Sequence, residues 1–274
     1  MSLGKGLINL VKATLGKDNV PYQFVEEPFL YGFPDTKKIR TLKNKFGGKR
    51  CFILGNGPSL KCVDFSKLED EYSFAVNSIF LMTDMNGYRP TFYVVEDKAV
   101  MSENIDRINS YEAPYKFFPI NYKPQVSNKE NCLFFRMNAG YYREGTPQYG
   151  IPRFSADPSL RLYCGQSVTM INLQLAYYLG FSEVYLIGMD FNYNIPESAV
   201  VNGNEILSTE DDENHFHPDY FGKGKTWHDP QLDKVLKSYK LMKLMYELDG
   251  RKIVNATDGG KLDIFDRVDF NSIF

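Results

Sequence analysis

The run Cys51-Phe52-Ile53-Leu54, stopped at once by Gly55-Asn56-Gly57-Pro58-Ser59, constrains this chain more than any other stretch. Four consecutive apolar residues show no alternation, so they read as a strand covered on both faces, as in a parallel sheet between helical layers. The two glycines permit a left-handed backbone and let a ligand approach the main chain closely. Asn56 and Ser59 add side-chain donors, and Pro58 suits the first position of a helix or turn. Such a loop at a strand's carboxyl end makes a seat for a phosphate or a nucleotide. The same residues also suit a plain strand-to-helix turn. No Gly-Lys-Ser/Thr follows, and Leu60 stands where a dinucleotide fingerprint has its third glycine.

Strand and helix patterns alternate from this point on. Further candidate strands are Ser73–Val76, Phe92–Glu96, Lys116–Pro119, Cys132–Phe135, Glu183–Ile187 and Lys252–Val254. Asn77, Asp97 and Asp190 fall at carboxyl ends of such runs, the edge where open parallel sheets bind ligands. After Gly165-Gln166, Ser167 is a candidate N-cap for a helix whose apolar face is Val168, Ile171, Leu175, Ala176 and Leu179, with Gly180 as its stop. Asp229-Pro230 opens a second helix, and Gly250 ends it. Residues 137–163 show no period and read as a long loop. A second Gly-rich turn spans Asn255–Gly260.

This pattern predicts an α/β fold: Rossmann-like, with a mostly parallel sheet flanked by helices and a lid segment over its carboxyl edge. Residues 1–49 read as a basic N-terminal extension, with a short amphipathic helix over Leu7–Leu15 followed by Lys37, Lys38, Arg40, Lys43, Lys45 and Lys49. That extension suits either a membrane surface or a solvated helix leading into the domain. Residues 50–274 read as one nucleotide-binding domain, its lid at about 192–228.

Composition excludes some partners. A net charge of -2 argues against a nucleic-acid binder, and no run reaches the ~18 apolar residues of a membrane span. The expectation is a cytoplasmic protein, at most peripheral at the inner face of the membrane, and a homo-oligomer. Cys51, Cys62, Cys132 and Cys164 are scattered without a Cys-x-x-Cys pair, so they read as reduced thiols rather than a disulfide or zinc framework.

All three histidines, His215, His217 and His228, lie close together in the lid. One reading is a metal site, from His215-Phe216-His217 and the acidic run Glu210–Glu213. The other, preferred here, is one catalytic base, with the remaining histidines structural or solvated and no bound metal. Asp190 suits catalysis, a loop cap or a hydroxyl contact, and Glu96-Asp97 is equally open. Asp211-Asp212 reads as a solvated loop.

In order, Gly55-Asn56-Gly57-Pro58-Ser59-Leu60, Asn77, Gly165-Gln166-Ser167, the unit Gly180–Phe191 and Asn214-His215-Phe216 resemble the bacterial sialyltransferases of the Campylobacter lipooligosaccharide type. The same segments resemble a broader family that includes archaeal pterin pyrophosphokinase-like proteins and flagellin-modifying motility accessory factors. The resemblance covers roughly residues 50–260. It implies an inverting, metal-independent transfer of a sugar from a CMP-activated or related nucleotide sugar to a glycan acceptor, without a cofactor. Asn56, Asn77 and Ser167 would contact the donor, and His215 would deprotonate the acceptor. Gly55, Gly57, Ser59, Asp97, Gln166 and Asp190 complete the expected nucleotide site. Two positions depart from the sialyltransferase pattern. Asn192 stands where a phosphate-holding tyrosine belongs, with Tyr193 one later, and Glu96-Asp97 replaces a third donor-contacting Asn. The broader family implies one alternative, a Mg²⁺-dependent pterin-type diphosphokinase using ATP, with Glu96-Asp97 on the metal; the two departures leave another, a non-catalytic nucleotide-binding relative.

Overall fold

A computed structural model describes residues 32–274. Its centre is β1 (Arg50–Leu54), and every residue from Cys51 to Leu54 is fully buried. On one side of β1 follow β2 (Ser73–Val76), β3 (Phe92–Val94), β4 (Tyr115–Pro119) and β5 (Cys132–Phe135). After the short strands β6 (Met137–Asn138) and β7 (Leu162–Tyr163), which pair with each other, the chain crosses back. It then lays β8 (Glu183–Ile187) on the other flank of β1. Three strands, β9 (Val200–Asn202), β10 (Glu205–Leu207) and β11 (Thr226–His228), form a separate antiparallel sheet. The main sheet ends with β12 (Lys252–Asn255) and β13 (Asp266–Arg267), giving the order β13-β12-β8-β1-β2-β3-β4-β5. Every pairing within it is parallel. The expected Rossmann-like α/β fold is therefore what the chain adopts.

Alternate residues of each strand feed opposite layers. Cys51 and Ile53 join one core, with α1 (Pro34–Arg40), α5 (Thr169–Leu179) and α6 (Leu232–Leu248) above it. Phe52 and Leu54 join the other, beneath α2 (Phe80–Asn86), α3 (Lys98–Glu103) and α4 (Ile105–Ser110). Two covered faces explain why β1 reads as an uninterrupted apolar run. The chain departs from β1 in one direction and returns beside it in the other. The crevice at the carboxyl ends of β1 and β8 is therefore the topological switch point, where such sheets bind ligands.

The folded body begins earlier than the basic-extension reading allowed. Thr36, Ile39, Leu42 and Phe46 are buried, and Phe46 stacks on Phe181 with ring centroids 5.2 Å apart. The Asn44 and Phe46 N–H groups donate to the Tyr178 and Leu179 carbonyls, closing the end of α5. Lys38 donates to the Glu130 and Cys132 carbonyls and Lys45 to the Tyr115 hydroxyl, so part of this basic stretch serves the fold. The helix expected over Leu7–Leu15 lies outside the described residues.

Both helix starts are corrected. α5 begins at Thr169 behind Val168, and Ser167 is not its N-cap, although its Oγ accepts from the Thr169 N–H at 3.3 Å. α6 begins at Leu232 rather than at Asp229-Pro230. Asp229 instead accepts from the Gln231 N–H at 2.9 Å, turning the chain through Gln231 at φ 45°. The lid at 192–228 carries the three-stranded sheet. All four cysteines are free thiols, and Cys51, Cys132 and Cys164 are buried. Among the described residues no helix is long and apolar enough to cross a membrane.

Candidate functional site

A cleft of about 690 Å³ opens at the switch point. Its floor is the turn after β1, with Gly55, Asn56 and Gly57, and the turn after β8, with Gly188, Met189 and Asp190. Asn77 and Glu96-Asp97 extend that floor past β2 and β3, while Gln166, Ser167 and Thr169 lead into α5. The far wall is aromatic and comes from the lid: Tyr193, Tyr220, Phe221 and Trp227. Tyr141, Tyr142 and Tyr149 of the 137–163 loop also line it.

Backbone strain collects here. Five described non-glycine residues have a left-handed backbone, and four of them line this cleft: Asn77 (φ 50°), Gln166 (φ 71°), Phe191 (φ 51°) and Gln231 (φ 45°). That conformation costs roughly 1–2 kcal/mol at each such position, and strain of this kind concentrates at ligand sites.

The lid is seated rather than hinged over the cleft. Phe216 and Tyr220 are buried in the core beneath it, and the Phe216 N–H donates to the Asn56 carbonyl at 2.8 Å. Asn214 exchanges two 2.7 Å bonds with the Asn194 backbone, holding Tyr193 beside the cleft. His215 is thereby fixed. Its Nδ1 lies 2.7 Å from Asp212 Oδ2, and the two side chains are only 9% and 4% exposed. Asp212 also accepts from the Asn214 and Phe221 N–H groups. Burial opposes its ionisation, but the bonds and charge of His215 and those two N–H groups outweigh it and hold the carboxyl below its usual value. The Asp212 anion makes Nδ1–H the donor tautomer and leaves Nε2 as the acceptor nitrogen. The sequence pattern of a solvated loop at Asp212 is misleading; the structure makes it the partner of His215. Its three-residue spacing from His215 in the lid is the signal that could have singled it out.

The other expected site residues divide. Asn56 donates through Nδ2 to the Tyr220 hydroxyl at 2.7 Å, and its Oδ1 and that of Asn77 are buried without a hydrogen-bond partner from the described residues. Two orphaned acceptors on a cleft floor fit a ligand that carries hydroxyl or amino donors. Tyr193 stands with its ring 5.9 Å from His215 and stacks on Trp227. Desolvation, with Asp212 and Asp190 adding to it, pushes its phenol up to about 12, so it remains an O–H donor at neutral pH.

Ser59 and Asp190 pair with each other. The Ser59 N–H and Oγ donate to Asp190 at 3.2 and 2.8 Å, and Ser59 does not line the cleft. The pair ties the two turns together. One Asp97 oxygen caps α3 through the Val100 N–H at 2.9 Å. His217 accepts from the Asp219 N–H away from the cleft, whereas His228 sits exposed at its rim. Among the described residues no three His, Cys, Asp or Glu side chains are grouped to hold a metal.

Glu96 is the remaining unpaired group on the floor, and no described residue hydrogen-bonds its carboxylate. Burial, with Asp97 adding to it, pushes its pKa up to about 7 from an ordinary 4.5. A carboxyl raised on folding stabilises fully below the unfolded value, and that contribution is lost as pH rises through about 7. Glu96→Gln is therefore expected to unfold at a higher temperature than wild type at pH 8, with the difference disappearing at pH 4. Parallel melting curves across that range would refute the assignment.

The fold is a Rossmann-like α/β sheet with an open cleft at its switch point. The family described as 6-hydroxymethylpterin diphosphokinase MptE-like matches residues 29–196, and the chain belongs to that family. The matched span holds the floor of the cleft but stops before Asp212 and His215. No curated protein matches the chain. Among solved structures, the MAf glycosyltransferase from Magnetospirillum magneticum AMB-1 is similar at 14% identity with a TM-score of 0.47. The match covers 87% of this chain but only 38% of that one.

Proposed function

We propose that the protein is a glycosyltransferase, sialyltransferase-like, that moves a sugar from a CMP-activated or related nucleotide sugar to a glycan hydroxyl with inversion and without a metal. The observation that carries this reading is the buried Asp212–His215 pair at the edge of a Gly-lined seat. Acceptor attack on the anomeric carbon needs a base for one hydroxyl proton and stabilisation of the departing phosphate. His215 Nε2 takes the proton, and Asp212 stabilises the imidazolium that results. The Tyr193 phenol and main-chain N–H groups of the floor supply hydrogen bonds to the phosphate as charge develops there.

A second reading follows from the family and from Glu96-Asp97. Mg²⁺ is commonly held by one or two carboxylates plus substrate phosphates, and these two side chains fit that pattern. In a pyrophosphoryl transfer from ATP to a hydroxymethyl group, the ion would neutralise the phosphates. His215 would again act on the accepting hydroxyl.

Thermal unfolding with CMP, CDP, UDP, GDP and ATP, each with and without Mg²⁺, separates the two. Saturation at about 100 times Kd stabilises by roughly 2.7 kcal/mol, well within detection. A metal-independent response to CMP is the expected result. A response only to ATP with Mg²⁺ transfers the assignment to the diphosphokinase, and no response to any nucleotide defeats both.

A further inference from the structure

We propose that Tyr220 is a positioning residue, holding the His215 imidazole in register with the nucleotide seat; this rests on His215 being the base of the proposed transfer. The imidazole lies flat on the Tyr220 ring, with centroids 4.2 Å apart and planes within 2°. The covalent tether at Cγ and the bond from Nδ1 to Asp212 still let the ring rock about the line between those two anchors. The stack removes this freedom and aims Nε2 in one direction. Phe221 and Tyr193 meet the same ring edge-on, at 5.2 and 5.9 Å, so Asp212, Tyr220 and Tyr193 are the titratable groups around it.

The opposite end of Tyr220 reaches the seat. Its hydroxyl accepts from Asn56 Nδ2 at 2.7 Å, and the Ser78 N–H and the Asn77 side chain also lie against it. Burial pushes this phenol well above its usual range, so it stays protonated. Asn56 is bonded a second time, through its carbonyl to the Phe216 N–H, adjacent to His215. One side chain thus touches the proposed base with its ring and both cleft asparagines with its hydroxyl. A phenylalanine would stack equally well, so the hydroxyl serves the seat and the ring serves the base.

Two variants divide these roles. Tyr220→Phe keeps the stack and cuts the link; Tyr220→Leu fills the space without a ring. Proton NMR of the ligand-free chain reads the stack through the His215 Nδ1–H, a slowly exchanging downfield signal assigned by its loss in His215→Ala. The signal is expected to persist in Tyr220→Phe and to vanish in Tyr220→Leu with unchanged circular dichroism. A sharp signal in folded Tyr220→Leu overturns the proposal. Kinetics with a CMP-sugar read the link. Tyr220→Phe is expected to raise KM about 2–10-fold, the equivalent of one neutral hydrogen bond, with kcat little changed. An unchanged KM overturns the proposal even where Tyr220→Leu does not fold. A wild-type chain that turns over no CMP-sugar defeats the glycosyltransferase reading alone, because the NMR comparison needs no substrate.

Discussion

His215→Ala is expected to lower turnover of a CMP-sugar by about 10²–10⁴-fold, the range that a positioned general base contributes. CMP affinity should change little, because the imidazole acts on the acceptor and not on the nucleotide. The contrast between kcat and Kd is the diagnostic, since a collapsed cleft would lose both. Asp212→Asn should fall between wild type and His215→Ala. Asparagine can keep a hydrogen bond to Nδ1 but cannot stabilise the imidazolium, and its amide group can instead favour the wrong tautomer. Asp212 also anchors the Asn214 and Phe221 N–H groups, so its variant needs a melting curve alongside the kinetics. Turnover within tenfold of wild type in a folded His215→Ala chain would remove the imidazole from the mechanism, and with it the observation on which the glycosyltransferase reading stands.

What the chain discloses before folding differs between the sheet and the cleft. The buried strands were legible because each is a short apolar run with a turn at its end, and a parallel sheet leaves that mark on nearly every residue. Phe46 was not, because its aromatic partners Phe181, Phe92 and Tyr72 are distant in sequence and its lysine neighbours mask it. The lid shows the same division. His215 draws notice as a histidine in polar surroundings, whereas Asp212 sits in an acidic run that resembles a solvated loop. Only the return of the chain through Phe216 and Tyr220, both buried, takes that carboxylate out of water. Tyr220 had no sequence signal at all: it is one of 19 tyrosines, and its role depends on the ring it stacks against.

The Gly-rich turn was legible as a feature but not for its physical reason. Gly55→Ala is expected to cost more than about 3 kcal/mol, at or above the upper end of ordinary overpacking. Neither Gly55 nor Gly57 has the left-handed backbone that the sequence suggested. What they permit is contact between two turns. A Cβ on Gly55 would lie 2.2 Å from the Gly188 carbonyl oxygen and 2.8 Å from its carbon. Both are main-chain atoms at the ends of the central strands, where the Gly55 N–H donates to Ile187 at 2.8 Å and the Gly57 N–H to Gly188 at 3.0 Å. No rotamer can relieve that clash. Separating β1 from β8 would break those bonds and widen the floor of the cleft. Gly57→Ala meets Asp190 Oδ2 at 1.9 Å, a side chain that can rotate at the expense of its bonds to Ser59, and approaches the Gly188 carbonyl oxygen only to 2.8 Å against 2.2 Å for Gly55→Ala, so its cost should be smaller. At about 2–4 °C per kcal/mol for a chain near this size, Gly55→Ala should melt at least ~6–12 °C below wild type, with Gly57→Ala between them. Because the two turns form the seat, Gly55→Ala should also weaken CMP binding under conditions where the variant is still folded. Melting within about 2 °C of wild type would mean that the turns do not approach as described, and the seat would have to be drawn again.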